Sequence, residues 1–442
     1  MMLLGALLFA FALDTGPSVW DDPTFQKQFL GSYGVQADIE PKISAAESEQ
    51  LAGILPLMGS DPAAAATQLE ALITPQTSAA LDFTLGNLRF QLGDLEAAER
   101  HYTAALAKFP SFRRAHKNLG LIRARSGRLA EAIPALTRTI ELGGGDALTY
   151  GLLGWAYNAG ERWLSAESAF RTAMLLQPDV LDWTVGLAQS LLRQQRFGEA
   201  AALCETLVTQ HADRADFWLM QAGAYVGLGQ PLKAAENYEI VQRLGKATPS
   251  VLYTLGDIYV NASLWEPAAR AYAAALAQDG GASVERPARC IEILAQRGAF
   301  AQARSVLDRL RETHGATLDE PSRTRLLKLE ARIAVAEGAG GDAARVALEQ
   351  VVDADPLDGE ALMLLGQHCA KQGDTEQALI YYERASSLDG FEADAKVRQA
   401  QLLVGRERYR DAVPLLKRAQ ELKPRDEVAR YLDQVERLAR SR

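Results

Sequence analysis

The chain has 442 residues and a formal net charge of −9. Phosphate backbones are gripped by basic surfaces, so that sign argues against nucleic acid as the main partner. Hydrophobic residues at 48% and charged residues at 23% exclude a disordered chain and call for a packed core.

Leu3 to Leu13 is an almost unbroken apolar run that holds the small-x-small pattern Ala10-Phe11-Ala12. It is too short to span a bilayer, and residues 1–13 are read as a signal peptide. Nothing before Lys27 is basic except the N-terminal amine, so a short membrane-associated or buried helix is the competing reading. Residues 14–43 form an aromatic, acidic arm with Trp20, Phe25, Phe29 and Tyr33. Those rings either pack onto the first helix pair or serve as a docking arm. Residues 1–78 carry two lysines and nine acids, a net of −7, which leaves −2 for the rest. The arm is therefore either a solvated leader or a handle for a basic partner. Residues 44–78 read as a degenerate helix pair. Ser44-Ala-Ala-Glu47 is a capping box, and Asp61-Pro62 sets an N-cap before a proline at the first helical position.

From residue 79 a 34-residue period takes over. Leu85, Gly86, Gly93, Ala98, Tyr102, Ala105 and Pro110 recur 34 residues on as Leu119, Gly120, Gly127, Ala132, Leu136, Thr139 and Gly144. Ten copies start near residues 79, 113, 147, 181, 215, 249, 284, 325, 359 and 393. Each holds two helices whose apolar residues recur at three- and four-residue spacing. Position 8 is small where a second helix must cross, position 20 is alanine in every copy, and position 24 is bulky. Copies 1–6 span 79–283. The copy from 284 has Ile291 at position 8, and the next step is 41 residues, so 284–324 is read as a degenerate repeat with a long loop near Thr313 to Ser322. Copies 8–10 span 325–426. Residues 427–442 are a capping helix, with Val428, Tyr431, Leu432, Val435 and Leu438 on one stripe and charge on the other.

This spacing of small and large residues resembles the tetratricopeptide repeat (TPR) family over residues 79–424. The resemblance implies an all-α, TPR-type α-α superhelical solenoid with a C-terminal capping helix, which binds proteins through the concave face made by the first helix of each copy. On that face the expected peptide-binding residues are Phe83, Asn87, Phe90, Arg114, Lys117, Leu121, Trp155, Asn158, Gln189 and Tyr253. Aromatics beside amides suit a peptide or a helix. Asn87 and Asn118 match the family's carboxylate clamp, but Phe83, Gly151 and Trp155 stand where it has basic residues, so the clamp is not carried over.

Cys204, Cys290 and Cys369 fall at core-facing positions of different, non-adjacent copies and read as buried small hydrophobes. The five histidines lack metal spacing, Gly143-Gly144-Gly145-Asp146 lacks the Lys-Ser/Thr of a phosphate loop, and no Gly-x-Ser-x-Gly elbow occurs. The reading is a non-enzymatic interaction scaffold with no cofactor and no metal. A narrower resemblance rests on Trp20-Asp-Asp-Pro23, Phe29 to Gly34, Leu142 to Asp146 and Val428 to Arg437. These segments are similar to secreted bacterial TPR proteins associated with the TonB, ExbB and ExbD energy-transduction system. That resemblance implies a periplasmic adaptor whose partners are those inner-membrane components or outer-membrane receptors. The alternative is a cytoplasmic TPR co-chaperone or regulatory module holding hydrophobic client segments.

Overall fold

Helix ends explain the architecture before packing does. A computed structural model describes residues 40–279, 284–315, 318–337 and 342–441. The expected signal peptide and the aromatics Trp20, Phe25, Phe29 and Tyr33 lie outside the described residues. The chain divides into two units, Met1–Leu244 and Gly245–Arg442. In the first, α1 (Ala45–Ser60) and α2 (Pro62–Leu72) precede five pairs. These are α3 and α4 (Ala79–Gln91, Leu95–Lys108), α5 and α6 (Arg113–Arg125, Leu129–Glu141), and α7 and α8 (Ala147–Ala159, Trp163–Leu176). They continue with α9 and α10 (Leu181–Arg193, Phe197–Gln210) and α11 and α12 (Ala215–Gly227, Pro231–Arg243). Ser44 and Glu47 close both arms of the predicted capping box on α1, and Asp61 caps α2 with Pro62 behind it.

The second unit holds α13 and α14 (Pro249–Asn261, Trp265–Gln278), α15 and α16 (Glu285–Gln296, Phe300–His314), and α17 and α18 (Glu320–Glu337, Asp342–Ala354). It ends with α19 and α20 (Gly359–Lys371, Thr375–Ser386), α21 and α22 (Glu392–Gly405, Tyr409–Leu422) and the single helix α23 (Asp426–Ser441). On α23, Val428 and Val435 are buried, while Glu427, Arg430, Asp433 and Arg437 are exposed. That helix covers the last apolar face with a charged one, as an open-ended stack requires.

Among the described residues, nine of the pairs turn on a residue with left-handed backbone at position 15. Gly93, Gly127, Gly229, Gly298 and Gly373 take it without a Cβ penalty, but Glu161, Gln195, Ser263 and Glu407 hold φ between 57° and 61°. The turn is fixed by main-chain bonds such as Arg162 N to Tyr157 O at 2.8 Å, so the strain cannot relax. Glu161→Gly and Gln195→Gly should each stabilise the first unit by about 0.5–1 kcal/mol, read as a rise in its thermal midpoint.

The interior repeats one contact. A Cβ on Gly86 would lie 2.7 Å from Tyr102, on Gly120 2.6 Å from Leu136, on Gly154 2.7 Å from Phe170 and on Gly366 2.5 Å from Tyr382. The bulky position 24 therefore seats on the position-8 glycine of its own pair. Phe170 also presses on Gly186 of the following pair, so one ring fills both gaps. Nine of the ten position-20 alanines have no exposed surface, and the tenth, Ala344, is 5% exposed. There the paired helices come closest, and any larger side chain would part them. Where position 8 is Ile291, no ring can enter, and α14 packs directly against α16.

The residues added before the copy at 325 go mostly into helix and not into the expected long loop. Asp319 accepts a hydrogen bond from Ser322 N at 3.0 Å, with Pro321 in the first turn. This helix start lets α17 run 18 residues, where α13 has 13. Ion pairs Arg311–Glu330, Lys328–Asp358 and Arg332–Glu360 anchor α17 to α16 and α19.

Pairs in the first unit are also stapled by charge. Glu99 pairs with Arg123 at 2.9 Å and with Arg128. Glu167 pairs with Arg171 at 2.9 Å and Arg196 at 2.6 Å. Burial works to raise the Glu99 carboxyl, but hydrogen bonds from Arg128 and Arg123 outweigh it and hold it below its ordinary value. Burial likewise opposes Gln194, Arg171 and Arg196 at Glu167, and the donors win. A depressed folded pKa adds stability above the unfolded value of about 4.3. That stability is lost as pH falls through the lower folded value. The first unit should weaken as pH drops below about 4.3, and Glu99→Gln with Glu167→Gln should flatten that slope in acid denaturation curves.

Candidate peptide-binding groove

In the first unit the first helices approach one another directly: α5 touches α7, α7 touches α9 and α9 touches α11. They form the inner row of the stack, and side chains left open along it are the candidate site. The ten residues expected there divide sharply by burial.

Four of them are interior. Phe83 is 3% exposed and packs 5.6 Å from the Tyr102 ring and 4.8 Å from Phe112. Asn87 accepts from Tyr102 Oη at 2.7 Å and from Asn118 Nδ2 at 3.0 Å. That buried triad locks α3, α4 and α5 together, so the two clamp-like asparagines are structural. Leu121 is 2% exposed within the core around Leu136 and Leu152. Tyr253 is 2% exposed, donates to Asp279 Oδ2 at 3.1 Å, carries the Arg286 guanidinium 4.5 Å above its ring, and belongs to the second unit. The expectation that these four line an open groove is corrected. Helical position gave their side of the helix, but the neighbouring copy sits close enough to cover them.

Six are half-buried in the first unit. Phe90 packs between two core clusters with Arg125 5.4 Å above its ring. Arg114 is ion-paired with Glu40 at 2.8 Å, and Lys117 with Asp146, the N-cap of α7, at 2.5 Å. Burial pushes the Asp146 carboxyl up, but Lys117 and Thr149 outweigh it and hold the group below its usual value. Both cations thus already have carboxylate partners. Trp155 stands edge-on to Phe170 at 5.5 Å and packs against the core of Val185, Ala188 and Phe217. Among the described residues its Nε1–H has no acceptor. Asn158 donates to Gly186 O at 3.2 Å and accepts from Ser190 Oγ at 2.9 Å, tying α7 to α9. Gln189 lies on the same pair of helices.

The sequence reading passed over a row of aromatics under cations at the C-terminal ends of these helices. Arg162 sits 4.6 Å above Tyr157, and Lys233 sits 5.3 Å above Tyr225. Both rings are half-buried. Both stand at position 11 of their copies. The recurrence of tyrosine there was the available signal.

Among the described residues, no group of three or more His, Cys, Asp or Glu could hold a metal ion. Among them, no helix is long and apolar enough to cross a membrane. The three cysteines are free and buried. Burial pushes the Cys204 and Cys290 thiols up to about 12, which suppresses the reactive thiolate.

Four stretches, 83–147, 152–215, 219–283 and 328–393, match the tetratricopeptide repeat family model. The chain belongs to the tetratricopeptide repeat family. No curated protein matches it. Among solved structures, this TPR chain is similar to YrrB, described as a TPR protein with an unusual peptide-binding site. The identity is 18% over 38% of this chain and 86% of that one, with a TM-score of 0.36. A tetratricopeptide repeat protein of Parabacteroides merdae is 17% identical over 56% and 97%, with a TM-score of 0.37. Yeast Tom70 is 13% identical over 82% and 96%, with a TM-score of 0.34. TPR proteins serve as protein–protein interaction scaffolds.

Proposed function

We propose that this TPR chain is a non-enzymatic scaffold that binds a peptide or helix of a partner along the inner row of its first unit. The observation that carries this reading is the run of half-buried aromatics on α3, α7 and α11: Phe90, Trp155, Tyr157, Trp218 and Tyr225. Packed helices lie about 8–10 Å apart, and an extended peptide rises about 3.3 Å per residue. Every third peptide side chain therefore meets the next copy. Rings present large contact area at low entropic cost, and the cations above Phe90, Tyr157 and Tyr225 favour acidic residues beside the apolar ones.

The resemblance to secreted bacterial TPR proteins supports an envelope partner of the TonB–ExbB–ExbD system and a periplasmic location for this reading. The test is crosslinking in cells that express the full chain, with mass spectrometry of its partners and its own N-terminus. Capture of those membrane components by a chain that has lost residues 1–13 supports the envelope reading. Capture of soluble clients by a chain that retains Met1 supports a cytoplasmic co-chaperone. With either partner, Trp155→Ala combined with Gln189→Ala should weaken capture at least about tenfold, equal to ~1.4 kcal/mol, with helicity unchanged. Undiminished capture would remove the groove from the reading.

A further inference from the structure

The first basic residue of the inner row is already occupied by the chain itself. Arg114 lies with its guanidinium 5.1 Å from the Phe83 ring centroid and 5.9 Å from that of Phe112. Its Nε donates to Glu40 Oε2 at 2.9 Å, and its Nη2 lies 2.8 Å from the same oxygen as an ion pair. Glu40 stands 74 residues away in the sequence and is 4% exposed. The segment that carries it is strapped over the start of α3: Ser78 Oγ donates to Lys42 O at 2.7 Å, and Ser78 N donates to Glu47 Oε1 at 2.6 Å.

This contact is incomplete. The second carboxylate oxygen, Glu40 Oε1, is buried and has no hydrogen-bond partner among the described residues. An unsatisfied buried carboxylate oxygen is costly, and a guanidinium binds a carboxylate best when two oxygens meet two donors. A seat of two rings and an arginine, filled by a carboxylate that uses only one oxygen, is set up for exchange.

We propose that Glu40 is a built-in ligand of the Arg114 seat, which closes this end of the inner row until an acidic residue of the partner peptide displaces it. The competition extends the groove reading and rests on it, since it names the partner as an acidic peptide. The internal ligand has the advantage of high local concentration, on the order of millimolar for a short tether. A peptide in solution should therefore bind the seat poorly while Glu40 is present.

The test uses the full chain and a fluorescein-labelled peptide of residues 35–43, Val-Gln-Ala-Asp-Ile-Glu-Pro-Lys-Ile, followed by fluorescence anisotropy. Binding to the Glu40→Gln chain should be at least tenfold tighter than to the native chain. Adding Arg114→Gln should abolish the gain, and so should replacing the peptide's glutamate by glutamine. Equal binding to the native and Glu40→Gln chains would overturn the proposal, as would tight binding by the glutamine peptide. The peptide comparison stands even if the double variant fails to fold. Trp155→Ala with Gln189→Ala leaves the seat intact. A chain that keeps its partner after that change but shows the expected peptide result would refute the groove reading and retain Glu40 as an internal clasp. The reverse pattern would retain the groove and refute the clasp.

Discussion

Phe170→Ala should destabilise the first unit by about 3–5 kcal/mol, and it should do so in an unusual way. The ring has no exposed surface and serves two neighbours. It seats on Gly154 within its own pair and on Gly186 in the next. Truncation opens a cavity that neither glycine can fill, since neither carries a side chain to relax inward. Stability in a stack is a sum of pair terms and nearest-neighbour interfaces, so the loss falls on one pair and one interface together. Hydrogen exchange should show α7, α8 and α9 opening first, while α3 to α5 keep their protection. Uniform loss across all of these helices would mean that the unit unfolds as a single block.

Lys108→Met is the second large effect, at about 3 kcal/mol. Asp82 is 2% exposed, and its Oδ2 meets Lys108 Nζ at 2.6 Å. The same ammonium donates to Thr74 O at 2.7 Å. Methionine keeps the apolar stem but leaves Asp82 as a buried charge without its cation. The low end of the range for broken buried pairs applies because 20% of the lysine side chain still reaches water. Asp82→Asn added to Lys108→Met should recover much of the loss, because the stranded charge is gone. Chemical denaturation of the four chains of this cycle measures the coupling directly. A double variant no more stable than Lys108→Met alone would show that the lysine acts through Thr74 and the connection after α2.

The period made the interior legible and the surface much less so. Alanine at position 20, and glycine at position 8 facing a ring at position 24, are steric requirements set within one pair. A single copy of the sequence displays them. Openness is set between pairs. Phe83 and Asn87 are covered by Phe112, at the junction of the two copies, and by Asn118 in the following copy, and no spacing within one helix reports how tightly that copy sits. The same holds for charge. Lys117 looks like a free groove cation until Asp146 is seen, 29 residues on, and Arg114 does so until Glu40 closes on it. The stretch Asp319-Glu320-Pro321-Ser322 was misread for a local reason. Asp and Pro mark turns and helix starts alike, and only the Asp319 cap on Ser322 N decides between them.

The ring-on-glycine contact also bears on how such a chain can change in length. Tyr102, Phe170, Tyr272 and Tyr382 each find their glycine inside their own pair. An unequal recombination that inserts or deletes 34 residues in phase therefore moves donor and acceptor of the contact together. The new pair arrives with its wedge already matched. The cost of the event is confined to the two junctions it creates, so copy number can drift while the interior rule stays intact. At the copy from 284, which has Ile291 where the glycine should be, that freedom ends. Duplicating it would propagate a pair with no seat for a ring.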